Sequence, residues 1–168
     1  MDAHADPHNP DYSDGYQDYF LHDVAVAGGR AWVVGDLQAY HIDRALVERW
    51  NGTRWSTVSV PLDSGSSGYC NARPLATVSA VGAANVWAFG RCWDEFQHTY
   101  TTEATALHLA GGVWSWVTLP APENAQAVVG STAIPGTPRV WAVGAGRVID
   151  DVTGETVSGP DSLALLGP

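Results

Sequence analysis

A short phrase recurs three times along the chain and constrains its fold more than any other feature. It reads RAWVVG at 30–35, NVWAFG at 85–90 and RVWAVG at 139–144. The tryptophans of these phrases are 55 and 54 residues apart, and the glycines that end them keep the same spacing. A fixed period of several tens of residues indicates that one supersecondary unit is stacked several times, since a single unit cannot bury its apolar face alone.

Each repeat is predicted to hold four short strands, A to D, of which the tryptophan phrase is strand B. Apolar residues alternate with small or polar ones before each phrase, which is typical of strands. Strand A is predicted at 21–29, 75–84 and 127–136; strand C at 45–52, 104–112 and 162–167; strand D at 53–61 and 112–120. Eighteen glycines and ten prolines fit a chain with many turns, so the fold class is all-β.

Four antiparallel strands repeated with a Trp and Gly signature predict a partial β-propeller, with two complete four-stranded blades and most of a third. Residues 1–20 form a polar, acidic leader predicted to be loop or disordered, and blade 1 covers 21–61. Blade 2 with its leading loop covers 62–120, and 121–168 form a blade that lacks its last strand. Propellers have about four to eight blades. Further blades in a longer chain, self-association, or a strand supplied by residues 1–20 are the alternatives for completing the ring.

The repeated residues are assigned packing roles first. A buried Trp covers about 150–250 Å², which at about 25 cal/mol per Å² is worth some 4–6 kcal/mol before costs. The glycine that ends strand B is expected to permit a bulge or a positive φ. Eight residues form this structural repeat: Trp32, Trp87, Trp141, Gly35, Gly90, Gly144, Trp55 and Trp114.

The units resemble the tandem repeats of secreted and cell-envelope propeller-like proteins of actinobacteria, and more distantly kelch repeats. The first unit carries the likeness in HDVAVAGGRAWVVG and ALVERWNGTRWSTVSVP. The second has Leu109 where the first has Trp50, and the third keeps RVWAVG and a strand C. The resemblance implies a scaffold or binding role in a secreted or cell-envelope protein. This chain starts without a signal peptide, so a cytoplasmic location stays open.

The connections between strands are short from A to B and from C to D, but long from B to C and from D to A. The long ones lie at 36–44, 62–74, 91–103, 121–126 and 145–161. Both long types emerge at the same side of an up-and-down sheet, and binding residues concentrate on such loops. The candidates there for contact with a polysaccharide or a protein are Tyr40, His41, Tyr69, Arg91, Trp93, Asp94, His98 and Tyr100.

Trp93 lies outside the repeat register, so blade packing does not account for it. An indole between Arg91 and Asp94 suits stacking on a sugar ring or anchoring a protein partner. The alternative is that Trp93 folds over its own loop. Two cysteines lie nearby, Cys70 just before strand A and Cys92 just after strand B of the second unit. They form either a disulfide or two free thiols, and their spacing predicts no metal site.

The composition narrows the function classes. With 18 acidic and 8 basic residues the net charge is −10, which disfavours nucleic acid. No apolar run approaches the roughly 20 residues of a membrane span. No nucleophile motif, phosphate-binding loop or metalloprotease motif is present, so no catalytic residue and no cofactor are predicted. The main hypothesis is a non-catalytic binding or scaffold segment. The alternatives are a fragment of a propeller-fold glycosidase or lyase whose active site needs further blades, and a purely structural spacer.

Overall fold

The computed structural model describes residues 17–39, 42–61, 74–94, 99–117, 119, 125–149 and 156–166. Every regular element in these residues is a β-strand. The strands are β1 Gln17–Ala27, β2 Arg30–Ala39, β3 Ile42–Trp50, β4 Trp55–Thr57, β5 Leu75–Gly82, β6 Asn85–Asp94, β7 Thr99–Ala110, β8 Val113–Val117, β9 Ala125–Ala133, β10 Val140–Ile149 and β11 Thr156–Leu166. Within that part of the chain, no helix combines the length and hydropathy needed to cross a membrane.

The strands form three open antiparallel sheets, one for each sequence repeat. Sheet 1 has the order β1-β2-β3-β4, sheet 2 the order β5-β6-β7-β8, and sheet 3 the order β11-β10-β9. Within a sheet, each strand pairs with the next one along the sequence, because tight turns such as 28–29, 83–84 and 111–112 reverse its direction. The all-β prediction is therefore confirmed.

The strands reach further than the alternation pattern indicated. β1 begins at Gln17 and pairs Gln17 with Ala39, so residues 17–20 belong to a strand and not to the leader. β6 continues to Asp94, where it pairs with Thr99 of β7. Backbone hydrogen bonds pair the strands of these hairpins beyond the segments in which apolar and polar residues alternate. The prediction of long B–C loops is therefore wrong, because most of their residues belong to paired strands.

The sheets stack on one another, and the repeated tryptophans mark the stacking faces. Trp32 packs with Val34 of sheet 1 against sheet 2, and Trp87 packs with Phe89 of sheet 2 against sheet 3. Trp32 is 0% and Trp87 1% exposed, as expected from the repeat, but Trp141 is 47% exposed. The prediction of a core role therefore fails at Trp141, because no described sheet lies across its face. Both buried indole Nε1 groups lack a hydrogen-bond partner, so their contribution is packing.

The repeated glycines are required by close contact with the neighbouring strand. A Cβ at Gly35 would lie 1.8 Å from the Phe20 carbonyl oxygen, and one at Gly90 would lie 1.9 Å from that of Pro74. Gly144 repeats this contact. Register shifts accompany all three positions, and none of these glycines has a positive φ. Of the two expected reasons for glycine, the bulge therefore applies and the positive φ does not.

His108 makes the core between sheets 2 and 3 sensitive to pH. Its imidazole stacks on the Trp87 ring with centroids 3.7 Å apart, and its Nε2 lies 2.9 Å from Asn85 Oδ1. Burial lowers the pKa of His108 below its ordinary value of 6.5. The unfolded state therefore takes up the proton more readily than the folded one. The stabilisation that His108 gives is present above pH 6.5 and is lost as the pH falls through the folded-state pKa.

We expect the urea midpoint to decrease between pH 7.5 and pH 5, and His108→Leu to remove part of that decrease. Leucine is the matched replacement, since Leu166 pairs with Trp141 as His108 pairs with Trp87. Acidic side chains titrate in both proteins, so the comparison is between the two slopes of midpoint against pH. Equal slopes would show that His108 carries no part of the effect.

Candidate functional site

The two ends of the sheets differ. One is here called the hairpin end, where the described connections are turns of two to six residues, at 28–29, 51–54, 83–84, 111–112 and 134–139. The opposite end, here called the B–C end, is where β1, β5 and β9 begin and where β2, β6 and β10 finish. All the sequence-predicted binding candidates on described strands lie at the B–C end.

A close contact between the side chains of His22 and Asp36 lies at the B–C end of sheet 1. Asp36 follows the repeat glycine on β2 and is 4% exposed, whereas His22 is the extra residue at the register shift of β1. Nε2 of His22 lies 3.1 Å from Asp36 Oδ1, and its Nδ1 lies 2.8 Å from the Leu75 carbonyl oxygen in sheet 2. A carbonyl oxygen only accepts, so Nδ1 donates to it. The imidazole thus bridges a buried carboxylate of one sheet and the backbone of the next.

This geometry does not resemble a nucleophile-activating pair. A histidine general base needs a free nitrogen within hydrogen-bond reach of the group it deprotonates. Here Nδ1 is used by Leu75 and Nε2 faces Asp36. The arrangement gives the buried Asp36 side chain a partner and joins two sheets, so it holds the two sheets in place.

A second polar network joins the first strands of all three sheets. Thr77 Oγ1 donates to Asp23 Oδ2 at 2.8 Å, and the Val78 N–H donates to the same oxygen at 2.9 Å. Ser131 Oγ lies 3.0 Å from Thr77 Oγ1 and accepts from Ser79 Oγ at 2.8 Å. Buried polar groups need such partners. β1, β5 and β9 are thereby fixed side by side, each as the edge strand of its own sheet.

The structure brings four of the predicted binding residues to one hairpin. Arg91 is exposed on β6, and its backbone N–H donates to the Pro74 carbonyl oxygen at 3.3 Å. Trp93 and Asp94 follow on the same strand, and Trp93 pairs with Tyr100 on β7. These four residues were expected on a loop, and their strand placement corrects that. The other candidates lie outside the described residues: Tyr40, His41, Tyr69 and His98.

Cys92 provides a covalent constraint beside this hairpin. It is fully buried and disulfide-bonded, so the free-thiol alternative does not apply to it. Cys70, the other cysteine of the sequence, lies outside the described residues, and its pairing with Cys92 stays a prediction. A disulfide next to Arg91 and Trp93 limits the positions that the end of β6 can adopt.

Sequence reasoning missed His22 and Asp36. The bridging position of His22 depends on a bulge in β1 that the alternation pattern does not reveal. A usable signal was the acid directly after Gly35, where the other two repeats have Arg91 and Ala145. In the described portion of the chain, no group of three or more His, Cys, Asp or Glu side chains is placed to hold a metal ion.

Comparisons with known proteins give matches among solved structures only. No protein-family model and no curated protein matches the sequence. A solved structure of a BT0996 RGII complex is 12% identical and superposes with a TM-score of 0.42. The match covers 86% of this protein and 53% of the neighbour, so this protein spans about half the length of that one. A superposition this loose assigns neither a shared architecture nor a shared ligand.

Proposed function

We propose that the protein is a non-catalytic segment of a β-propeller that binds a carbohydrate or a protein partner at the B–C end. The stacking of the sheets supports the propeller. Three successive antiparallel sheets pack face to face, and the polar network from Asp23 to Ser131 holds their first strands together. Neighbouring propeller blades are arranged in this way around a central channel.

The observation that carries the binding role is the difference between the two ends of the sheets. The connections at the hairpin end have two to six residues, whereas the B–C end collects Arg91, Trp93, Asp94 and Tyr100 on a single β-hairpin. Arginine and tryptophan are the residue types most often responsible for binding energy at interfaces. Strands hold such residues more rigidly than loops do, which lowers the entropy cost of binding.

Three further observations support this assignment. The His22 nitrogens are used to hold a buried acid and a backbone carbonyl, which favours a structural role for that pair over catalysis. The net charge of −10 disfavours a nucleic acid partner. The disulfide at Cys92 is typical of oxidising compartments and so supports a secreted or cell-envelope location.

The test is ligand binding with variants of the two ends. The 168-residue chain is applied to a glycan array and used to capture partners from cell-surface extracts, and the affinity for each hit is then measured. We expect Arg91→Ala and Trp93→Ala each to weaken binding roughly tenfold or more. Arg54→Ala is the control, because Arg54 is exposed at the hairpin end. If only Arg54→Ala weakened binding, the site would lie at the hairpin end and not at the B–C end. If no ligand were found, the result would favour a structural spacer.

A further inference from the structure

The two interior contacts between sheets follow a single rule. The face of sheet 1 that carries Trp32 and Val34 packs on sheet 2, and the face of sheet 2 that carries Trp87 and Phe89 packs on sheet 3. We call this the trailing face of a sheet. The opposite side, which receives the tryptophan of the preceding sheet, is the leading face. In sheet 2 the leading face includes Leu75.

The trailing face of sheet 3 is exposed although its sequence follows the same pattern. Trp141 and Val143 occupy the register of the two interior pairs, with 47% and 49% of their surfaces exposed. The interior pairs have exposures of 0% for Trp32 and Val34, and 1% for Trp87 and Phe89. The side chains are of the same kind, so the difference arises from the lack of a covering sheet among the residues that the structure describes. The trailing face of sheet 3 therefore has the residue pattern of a buried face but is exposed.

The leading face of sheet 1 is exposed in the complementary way. Large exposed apolar side chains lie on it, among them Leu21 at 55%, Val24 at 57% and Trp55 at 37% exposed. Strand register matches them to three residues of sheet 2, whose exposures are 0% for Leu75, 4% for Val78 and 8% for Trp114. Sheet 1 therefore presents an exposed leading face, the type of surface that covers a trailing face between neighbouring sheets. Sheet 3 presents an exposed trailing face at the opposite end of the stack.

We propose that the trailing face of sheet 3 binds the leading face of sheet 1 of a second copy, and that two copies close into a ring. The contact is head to tail, and it occurs twice in a symmetric dimer. Two copies of three sheets give six, within the range of about four to eight blades that a propeller accommodates, whereas three copies exceed it. The inference rests on the propeller stacking proposed above but not on the ligand site.

Polar contacts between the turns give this association a direction. Arg30 Nη1 donates to the Ala83 carbonyl at 3.4 Å, and Asn85 Nδ2 donates to the Pro138 carbonyl at 3.5 Å. Each donor lies two residues before the repeat tryptophan and reaches the A–B turn of the next sheet. Arg139 has the same position before Trp141 and is exposed. It is placed to donate to the carbonyl of the partner subunit's Gly28, whereas two trailing faces packed together would bring two Arg139 side chains against each other.

The test is the association state of the 168-residue chain and of two complementary variants, measured by sedimentation equilibrium from about 1 to about 100 μM. The wild-type protein is expected to be a dimer. Trp141→Glu disables the trailing face and Val24→Glu the leading face, and each should raise the dissociation constant roughly tenfold or more. Both residues are exposed, so both variants should fold. An equimolar mixture should associate more tightly than either variant alone, because the mixed dimer has one contact between two unaltered faces.

Val113→Glu is the matched control, since Val113 is 67% exposed on sheet 2 and lies on neither end face. It should leave the dimer intact, as should Arg91→Ala. A wild-type protein that is monomeric at about 100 μM overturns the inference. So does a dimer that Trp141→Glu dissociates and Val24→Glu does not, because that result means two trailing faces in contact. Ligand binding measured on the monomeric variants shows separately whether the proposed binding function holds.

Discussion

Replacing Trp87 by alanine is expected to lower the free energy of unfolding by about 3–5 kcal/mol. The indole fills the space between sheets 2 and 3, stacks on His108 and lies 6.0 Å from the Phe89 ring, centroid to centroid. Its removal leaves a cavity bounded by sheets that are each held by their own hydrogen-bond ladder and cannot collapse freely. Urea denaturation at pH 7.5 measures the effect, with the midpoint and slope compared between variant and wild type.

Trp141→Ala is the matched control, because the two tryptophans share one register in the repeat. In the Val24→Glu background, which is expected to be monomeric, Trp141 is exposed and its loss should cost less than about 1 kcal/mol. A large difference between the losses in free energy of unfolding would show that this tryptophan stabilises the protein only where another sheet covers it. Similar costs at the two sites would mean that Trp141 is covered in the monomer, contrary to the structure.

This contrast also shows how far the sequence predicts the fold. Alternation and turn residues are local signals, so the strands, their order and their division into three sheets could be predicted. The burial of a strand residue depends on what lies across from it, which the repeat alone does not specify. Trp32, Trp87 and Trp141 have the same sequence context, yet only the first two are buried.

The sequence predicted which end of the sheets holds the candidate residues, but not the elements that carry them. The strands β6 and β7 pair beyond the segment in which apolar and polar residues alternate. Four residues that were expected on a loop therefore lie on a hairpin: Arg91, Trp93, Asp94 and Tyr100. The bond from His22 to Leu75 joins residues 53 positions apart and depends on a bulge in β1. Neither a bulge nor a contact between sheets has a reliable local signature, so the polar links between sheets could not be predicted.

Gly90→Ala is expected to destabilise the protein by about 3 kcal/mol or more, at the upper end of the costs of overpacking. An added Cβ would lie 1.9 Å from the Pro74 carbonyl oxygen and 2.9 Å from its carbon. Both atoms belong to the backbone, so no side chain can rotate away to make room. Relief requires β5 to move away from β6, which breaks the register on both sides of the bulge between Leu75 and Thr77.

Gly82→Ala separates this clash from the general effect of replacing a strand glycine. Gly82 lies on β5, no atom lies within 4 Å of a Cβ added there, and its φ is not positive. Its replacement should change the free energy of unfolding by no more than about 1 kcal/mol, since the lower entropy of the unfolded state offsets small native-state costs. Thermal denaturation of both variants gives the comparison, and soluble yield serves if Gly90→Ala does not fold. If Gly90→Ala unfolded at the same temperature as Gly82→Ala, β5 could shift without cost, and the repeat glycine would have to be explained by something other than the close approach of the Pro74 carbonyl.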